Sequence, residues 1–165
     1  IVYDGGAQHG ALYSYMNGEV TKRQAETKLS NGMAWNKAAT KFYFSDSDEK
    51  AVFVYDYDRW SGDITNRKVL FEVTDGVPDG MCIDQNDNVW VAIWGGSRLE
   101  LHDGVSGDKL AKIAVPAKQV TSCCFLEDNK LFITTASEGV DGELDGCLFT
   151  CDLWDYDVAL TVELG

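Results

Sequence analysis

The sequence is poor in positive charge. Of its 165 residues, 14 are lysine or arginine and 27 are aspartate or glutamate, which gives a formal net charge of −13. Proteins bind nucleic acids and anionic membrane surfaces mainly through lysine and arginine, so this composition argues against both. No stretch approaches the roughly 18 consecutive apolar residues of a membrane-spanning helix. We therefore expect neither nucleic acid nor membrane as a partner.

Histidine and paired cysteine motifs are also scarce. His9 and His102 are the two histidines, and no Gly-x-Ser-x-Gly motif is present, which disfavours a serine triad. The five cysteines form no Cys-x-x-Cys pair and no Cys/His cluster at zinc spacing. We expect free, buried thiols, which are typical of a reducing compartment, and hence a cytoplasmic protein.

Short strand-like runs fill the chain instead. They are rich in Val, Ile, Phe, Tyr, Trp and Thr, and turn residues such as Asn17-Gly18 and Asp145-Gly146 separate them. Helical periodicity is almost absent. Many short strands at even spacing predict an all-β protein.

A repeat organises these runs into units of four strands. The units begin at Asn31, Asp79 and Thr121, so they recur after 48 and 42 residues. Four strands in about 40–50 residues are typical of a β-propeller blade. We predict blades at 29–75, 76–117 and 118–165, with 1–28 as the end of a preceding blade.

About three and a half blades are thus present, whereas propellers close into rings of about four to eight. The chain also begins with Ile1 rather than methionine. We expect it to be part of a longer protein whose N-terminal part is missing.

Two polar side chains mark the starts of inner strands, which line the channel of a propeller. Asn31 and Asp79 occupy equivalent positions, with Thr121 at the third. A carboxylate, an amide carbonyl and water suit calcium, magnesium or manganese. Asn-Gly and Asp-Gly are also the commonest hairpin turns, as expected at Asn17-Gly18. Pattern alone leaves both a metal site and a turn or capping role open for Asn31 and Asp79.

Other acidic clusters are weaker candidates. Residues 141–146 mimic the first half of an EF-hand loop, but strands flank them and Asp152 stands where that loop needs glutamate. An acidic surface loop is favoured there. Asp84, with Asn86 and Asn88, is interpreted as a hairpin tip, and Asp46 as a group near the channel or in a solvated loop.

Several strings, in order and at this spacing, resemble the regucalcin / senescence-marker-protein / gluconolactonase family, which includes luciferin-regenerating enzyme. They are Ser30-Asn31-Gly32-Met33-Ala34-Trp35, Pro78-Asp79-Gly80-Met81-Cys82-Ile83-Asp84, Val89-Trp90-Val91-Ala92 and Thr121-Ser122-Cys123-Cys124-Phe125. The resemblance runs from about His9 to about Gly139, and the opening residues Ile1–Gln8 show no clear match. It implies a propeller of about six blades that holds one divalent metal and hydrolyses sugar lactones.

The resemblance also implies roles for two residues. Asn31 matches the metal-binding asparagine of the family, and Asp79 matches its metal-binding aspartate, which is also the usual candidate for base or nucleophile. The third ligand of the family, a glutamate, and the arginine and asparagine that grip the substrate would lie upstream of Ile1. The substrate-binding residues therefore stay unknown.

We accordingly predict a metal-dependent lactonase that acts on a small sugar lactone and is monomeric when complete. Calcium, zinc, manganese or magnesium would polarise the carbonyl and activate water, with Asp79 as ligand and base. The 165 residues alone are expected to be inactive. The alternative is a non-catalytic propeller that binds calcium or a protein partner.

Overall fold

The computed structural model describes residues 10–163 except 128, 155 and 156. Residues 1–9, which include His9, lie outside the described residues. Every regular element described is a strand. In chain order the strands are β1 (Gly10–Met16), β2 (Glu19–Thr27), β3 (Ser30–Trp35), β4 (Lys41–Asp46), β5 (Ala51–Tyr57), β6 (Ile64–Glu72), β7 (Val77–Ile83), β8 (Val89–Trp94), β9 (Arg98–His102), β10 (Lys109–Ala114), β11 (Gln119–Glu127), β12 (Lys130–Ala136), β13 (Leu148–Trp154) and β14 (Asp157–Glu163).

The strands form antiparallel meanders in chain order, which is the topology of propeller blades. β1 pairs with β2, and β3 to β6 form a four-stranded sheet. β7 to β10 and β11 to β14 follow the same order, and a single pairing of Gln119 with Trp94 joins them into one eight-stranded sheet. The predicted all-β propeller is confirmed. Within the described residues, no helix has the length and apolar character needed to cross a membrane.

Turn chemistry sets the register of the first hairpin. Asn17 and Gly18 have φ angles of 52° and 89°, and they link Met16 directly to its partner Glu19. Two successive residues with positive φ make the tight turn whose twist matches a β-hairpin, and Asn-Gly tolerates it best. The predicted hairpin turn at this dipeptide is confirmed.

The core lies in the seams between successive sheets. One buried cluster joins β3–β6 to β7–β10, with Tyr43, Val52 and Val91 among its members. A second joins β7–β10 to β11–β13, with Leu99, Leu131 and Phe149 almost fully buried. Each such side chain contributes about 1.5–3 kcal/mol by leaving water. These seams fix each inner strand relative to the next.

The cysteines follow the strand alternation. All five are free, as predicted, and Cys123 and Cys151 are buried. The expectation of burial is wrong for Cys124, which is exposed. Successive strand residues point to opposite faces, so the neighbour of a buried cysteine faces away from the core.

Candidate functional site

The inner strands β3, β7 and β11 lie side by side, and two of the predicted site residues meet near their starts. Asn31 is the second residue of β3 and Asp79 the third residue of β7. Both side chains are partly buried, and the Asn31 side chain acts on the Asp79 carboxylate, whose pKa it lowers against the effect of burial. Both residues stand inside strands and not in hairpin loops, so the turn interpretation of these two dipeptides is wrong.

Glycine at position 32 permits this meeting. A Cβ atom on Gly32 would lie 2.5 Å from the carbonyl oxygen of Asp79 and 2.9 Å from the backbone nitrogen of Met81. Real Cβ atoms do not come so close to backbone, so only glycine lets β3 approach β7 at this point. The Asn31-Gly32 sequence thus serves a close approach of two strands.

Ser47, which follows β4, is hydrogen-bonded both to Asn31 and to the backbone next to Asp79. Its Oγ accepts a hydrogen bond from Asn31 Nδ2 at 3.2 Å and donates one to the carbonyl oxygen of Pro78 at 2.7 Å. The side chain is buried. Ser47 therefore connects the amide of Asn31 to the backbone just before Asp79 and orients both.

The Asp79 carboxylate is partly shielded from water. Burial raises its pKa to about 6, and hydrogen bonds from the Asn31 side chain and the Gly80 backbone N–H oppose only part of this effect. Among the described residues, no lysine, arginine or histidine forms an ion pair with Asp79. Within the described residues, Asp79 is thus a partly buried carboxylate with no ion-pair partner, and a carboxylate of this kind is a donor that a hard divalent cation prefers.

The third inner strand adds no ligand here. The Thr121 hydroxyl hydrogen-bonds the Thr134 hydroxyl at 2.7 Å, on the neighbouring strand β12. No group of three or more His, Cys, Asp or Glu side chains that could hold a metal occurs in the described part of the chain. Asn31 and Asp79 thus fit a divalent metal as two members of an incomplete ligand set.

Asp46 supports the site through backbone. It is buried, and its carboxylate oxygens accept hydrogen bonds from the N–H groups of Lys28 and Leu29 at 2.8 and 2.9 Å. Those residues lie between β2 and β3, immediately before Ser30 and Asn31. By accepting these two hydrogen bonds, Asp46 fixes the backbone that leads into β3.

The weaker acidic candidates are turns. Asp84 accepts hydrogen bonds from the backbone of Asn86 and Asn88 in the β7–β8 connection, which confirms the hairpin tip. In the loop at 141–146, Asp145 accepts from Gly142 N at 2.9 Å and from Lys118 N at 2.7 Å. This loop is mostly exposed and joins β12 to β13, as expected for a surface loop.

Ser47 and the spacing role of Gly32 escaped the sequence-based prediction. Ser47 lies in the acidic stretch Asp46-Ser47-Asp48-Glu49, which is typical of a solvated loop. The sequence did offer one signal for Ser47. It directly follows the apolar run of β4, and a residue at the end of a buried strand can face the same channel as Asn31 on the neighbouring strand.

Comparisons with known proteins identify the family of this chain. Residues 2–137 match the family model described as SMP-30/Gluconolactonase/LRE-like region, so the expectation that Ile1–Gln8 shows no match is wrong from residue 2 onward. The chain is 37% identical to human regucalcin over 139 residues, covering 81% of this chain and 46% of that protein. It is also 37% identical over 140 residues to the Bacillus subtilis (strain 168) protein named "Putative sugar lactone lactonase YvrE", covering 82% and 48%. The chain spans about half the length of these curated relatives.

Solved structures show the same likeness. Luciferin-regenerating enzyme superposes with a TM-score of 0.80 at 29% identity, covering 96% of this chain and 54% of that one. The calcium-binding protein regucalcin from Agrobacterium tumefaciens superposes with a TM-score of 0.79 at 26% identity, covering 85% and 51%. Both matched regions are therefore about half of a larger structure.

Proposed function

Because the chain belongs to the SMP-30/Gluconolactonase/LRE-like family, we propose that it is the part of a divalent-metal-dependent sugar lactone hydrolase that supplies Asn31 and Asp79. One observation carries this proposal. The Asn31 amide and a partly buried Asp79 carboxylate, which has no ion-pair partner among the described residues, lie at the starts of two neighbouring inner strands, and Ser47 holds the amide in place. The similarity to a protein named as a lactonase supports the substrate class.

In the proposed reaction the metal ion and the protein have different roles. Calcium, zinc, manganese or magnesium would supply Lewis acidity toward the lactone carbonyl. Asn31 offers its carbonyl oxygen, which adds no negative charge, while Asp79 offers the carboxylate.

Asp79 also serves as the base in this proposal. It accepts a proton from the water that attacks the carbonyl carbon. The bond from that carbon to the ring oxygen then breaks, the proton passes to the ring oxygen, and the product is the open hydroxy acid.

The test uses the whole protein that carries this sequence. Asp79→Asn keeps the shape of the side chain and removes its charge, so metal binding by calorimetry and turnover of a sugar lactone should both be lost. Asp75→Asn is the matched control, because Asp75 is exposed and lies four residues earlier. Turnover that survives Asp79→Asn would contradict the proposal.

A second function has its own support. The Agrobacterium tumefaciens relative is named a calcium-binding protein, and an oxygen ligand pair also suits calcium without catalysis. Calcium binding that depends on Asp79, with no turnover of any sugar lactone, would favour this non-catalytic function.

A further inference from the structure

Two thiols face each other across the seam between the last two blades. The Sγ atoms of Cys82 and Cys123 are 3.6 Å apart. Cys82 lies on β7 and is partly buried, whereas Cys123 lies on β11 and is buried. The sulfur atoms thus come from inner strands of different sheets and belong to the same seam cluster.

The internal repeat shows that this pair replaces an apolar one. In the register that aligns Asn31 with Asp79 and Thr121, Cys82 corresponds to Ala34 and Cys123 corresponds to Met81. Ala34 and Met81 are buried together in the preceding seam. Packing at this position therefore needs no sulfhydryl group, and the two thiols bring a chemistry that the equivalent seam lacks.

The two inner strands also approach closely beside the cysteines. A Cβ atom on Gly80 would lie 2.6 Å from the Cβ of Ser122, so β7 and β11 approach closely just before the two cysteines. The sulfur atoms must move together by about 1.5 Å to reach the disulfide bond length of about 2.05 Å.

We propose that Cys82 and Cys123 form a reversible disulfide when the protein meets a peroxide. The Cys82 thiolate attacks one oxygen of hydrogen peroxide, which breaks the O–O bond, releases hydroxide and leaves a sulfenic acid on Cys82. The sulfur of Cys123 then attacks the Cys82 sulfur, and the sulfenic hydroxyl leaves as water with the Cys123 proton. In sum, two thiols lose two electrons and one peroxide becomes two waters.

The order of the two cysteines follows from their surroundings. The hydrogen bond with Cys82 and burial raise the pKa of the Cys123 thiol well above its usual value. Cys82 is more accessible, so it meets the peroxide first and Cys123 resolves it. Cys124 is exposed on the opposite face of β11 and is not the partner.

Peptide mapping tests this assignment on the whole protein. After hydrogen peroxide treatment under native conditions, free thiols are alkylated and the protein is digested with trypsin without reductant. Cys82 then lies in peptide 69–98, and both Cys123 and Cys124 lie in peptide 119–130. We expect a cross-link between these two peptides that reductant releases.

Three variants identify the sulfur atoms. The cross-link should be lost in Cys82→Ser and in Cys123→Ser, and retained in Cys124→Ser, the matched control from the same peptide. If the cross-link were lost in Cys124→Ser and retained in Cys123→Ser, the partner of Cys82 would be Cys124, and the proposal would be overturned. A folded protein whose Cys82 stays reduced, or is over-oxidised without joining Cys123, would also overturn it. The same cross-link formed equally well in concentrated urea would show that the folded seam does not direct it.

Discussion

Gly32 gives the sharpest test of how the candidate site is built. Replacing it with alanine adds one methyl group, which would lie 2.5 Å from the Asp79 carbonyl oxygen. Ordinary contact begins near 3.4 Å, so β3 and β7 must separate by about 0.9 Å. Because the obstacle is backbone, rotation of a side chain cannot relieve it. This separation would increase the distance between Asn31 on β3 and Asp79 on β7.

Two opposing terms decide the effect of Gly32→Ala on folding. The backbone of Gly32 is not left-handed, so alanine would gain about 0.4–1 kcal/mol from the reduced entropy of the unfolded chain. Overpacking costs about 1–3 kcal/mol and outweighs that gain. We expect a net loss of about 1–2 kcal/mol in the free energy of unfolding. Metal binding should weaken by about 10–100-fold, since the ligands are pulled apart.

The assay is calorimetric titration of the whole protein with calcium and then zinc, beside a thermal melt. Gly18→Ala is the matched control, because Gly18 has a φ of 89° with no other atom near its missing Cβ. It should cost about 1 kcal/mol of stability through strain and leave metal binding unchanged. If folded Gly32→Ala binds metal as tightly as the original protein, the close approach does not shape the site and the argument fails.

Two further variants test the supports of the structure. Ser47→Ala removes the acceptor of the Asn31 amide and the donor to Pro78, so metal affinity should fall about 10-fold in the same titration, and an unchanged affinity would refute the orienting role. The second variant concerns pH: burial alone would raise the pKa of Glu100, but hydrogen bonds from His102, Lys109 and Arg98 outweigh it and lower that pKa to about 2. Glu100 should therefore contribute on the order of 3 kcal/mol above its ordinary pKa of 4.5, and this stability should be lost as pH falls from there toward 2. Urea unfolding at a series of pH values should show that loss in the original protein and a flatter profile in Glu100→Gln, and identical profiles would contradict the assignment.

Much of the fold follows from patterns that have one physical cause. Short apolar runs such as Lys41–Ser45 predict buried strands, and β4 spans Lys41–Asp46 with every residue after Lys41 buried. The Asn17-Gly18 turn is equally direct, since few other dipeptides accept two positive φ angles. The repeat that begins at Asn31, Asp79 and Thr121 located the inner strands because each blade must repeat the same packing.

The site is less predictable because its geometry depends on contacts between sheets. Nothing local distinguishes Ser47 from a solvated serine, yet it is buried against Pro78, which lies 31 residues away in sequence. The exposed Cys124 shows the same limit, since β11 carries two adjacent cysteines and sequence alone does not say which of them faces the seam. Asn31-Gly32 was ambiguous for a related reason. Glycine occurs both in tight turns and where two strands approach closely, and only the position of the neighbouring strand tells which of the two applies.

The glycine positions also explain why this chain brings two candidate ligands together and not three. The space beside Gly32 is filled by the backbone of β7, and the space beside Gly80 by the Ser122 side chain of β11. The third unit has Ser122 where the first two have glycine, and its Thr121 hydroxyl bonds Thr134 instead of turning toward Asp79. The close approach of β3 to β7 at Gly32 is therefore the one that lies between an asparagine and an aspartate. Any further donor to a cation at Asn31 and Asp79 would have to come from residues other than these three strand starts.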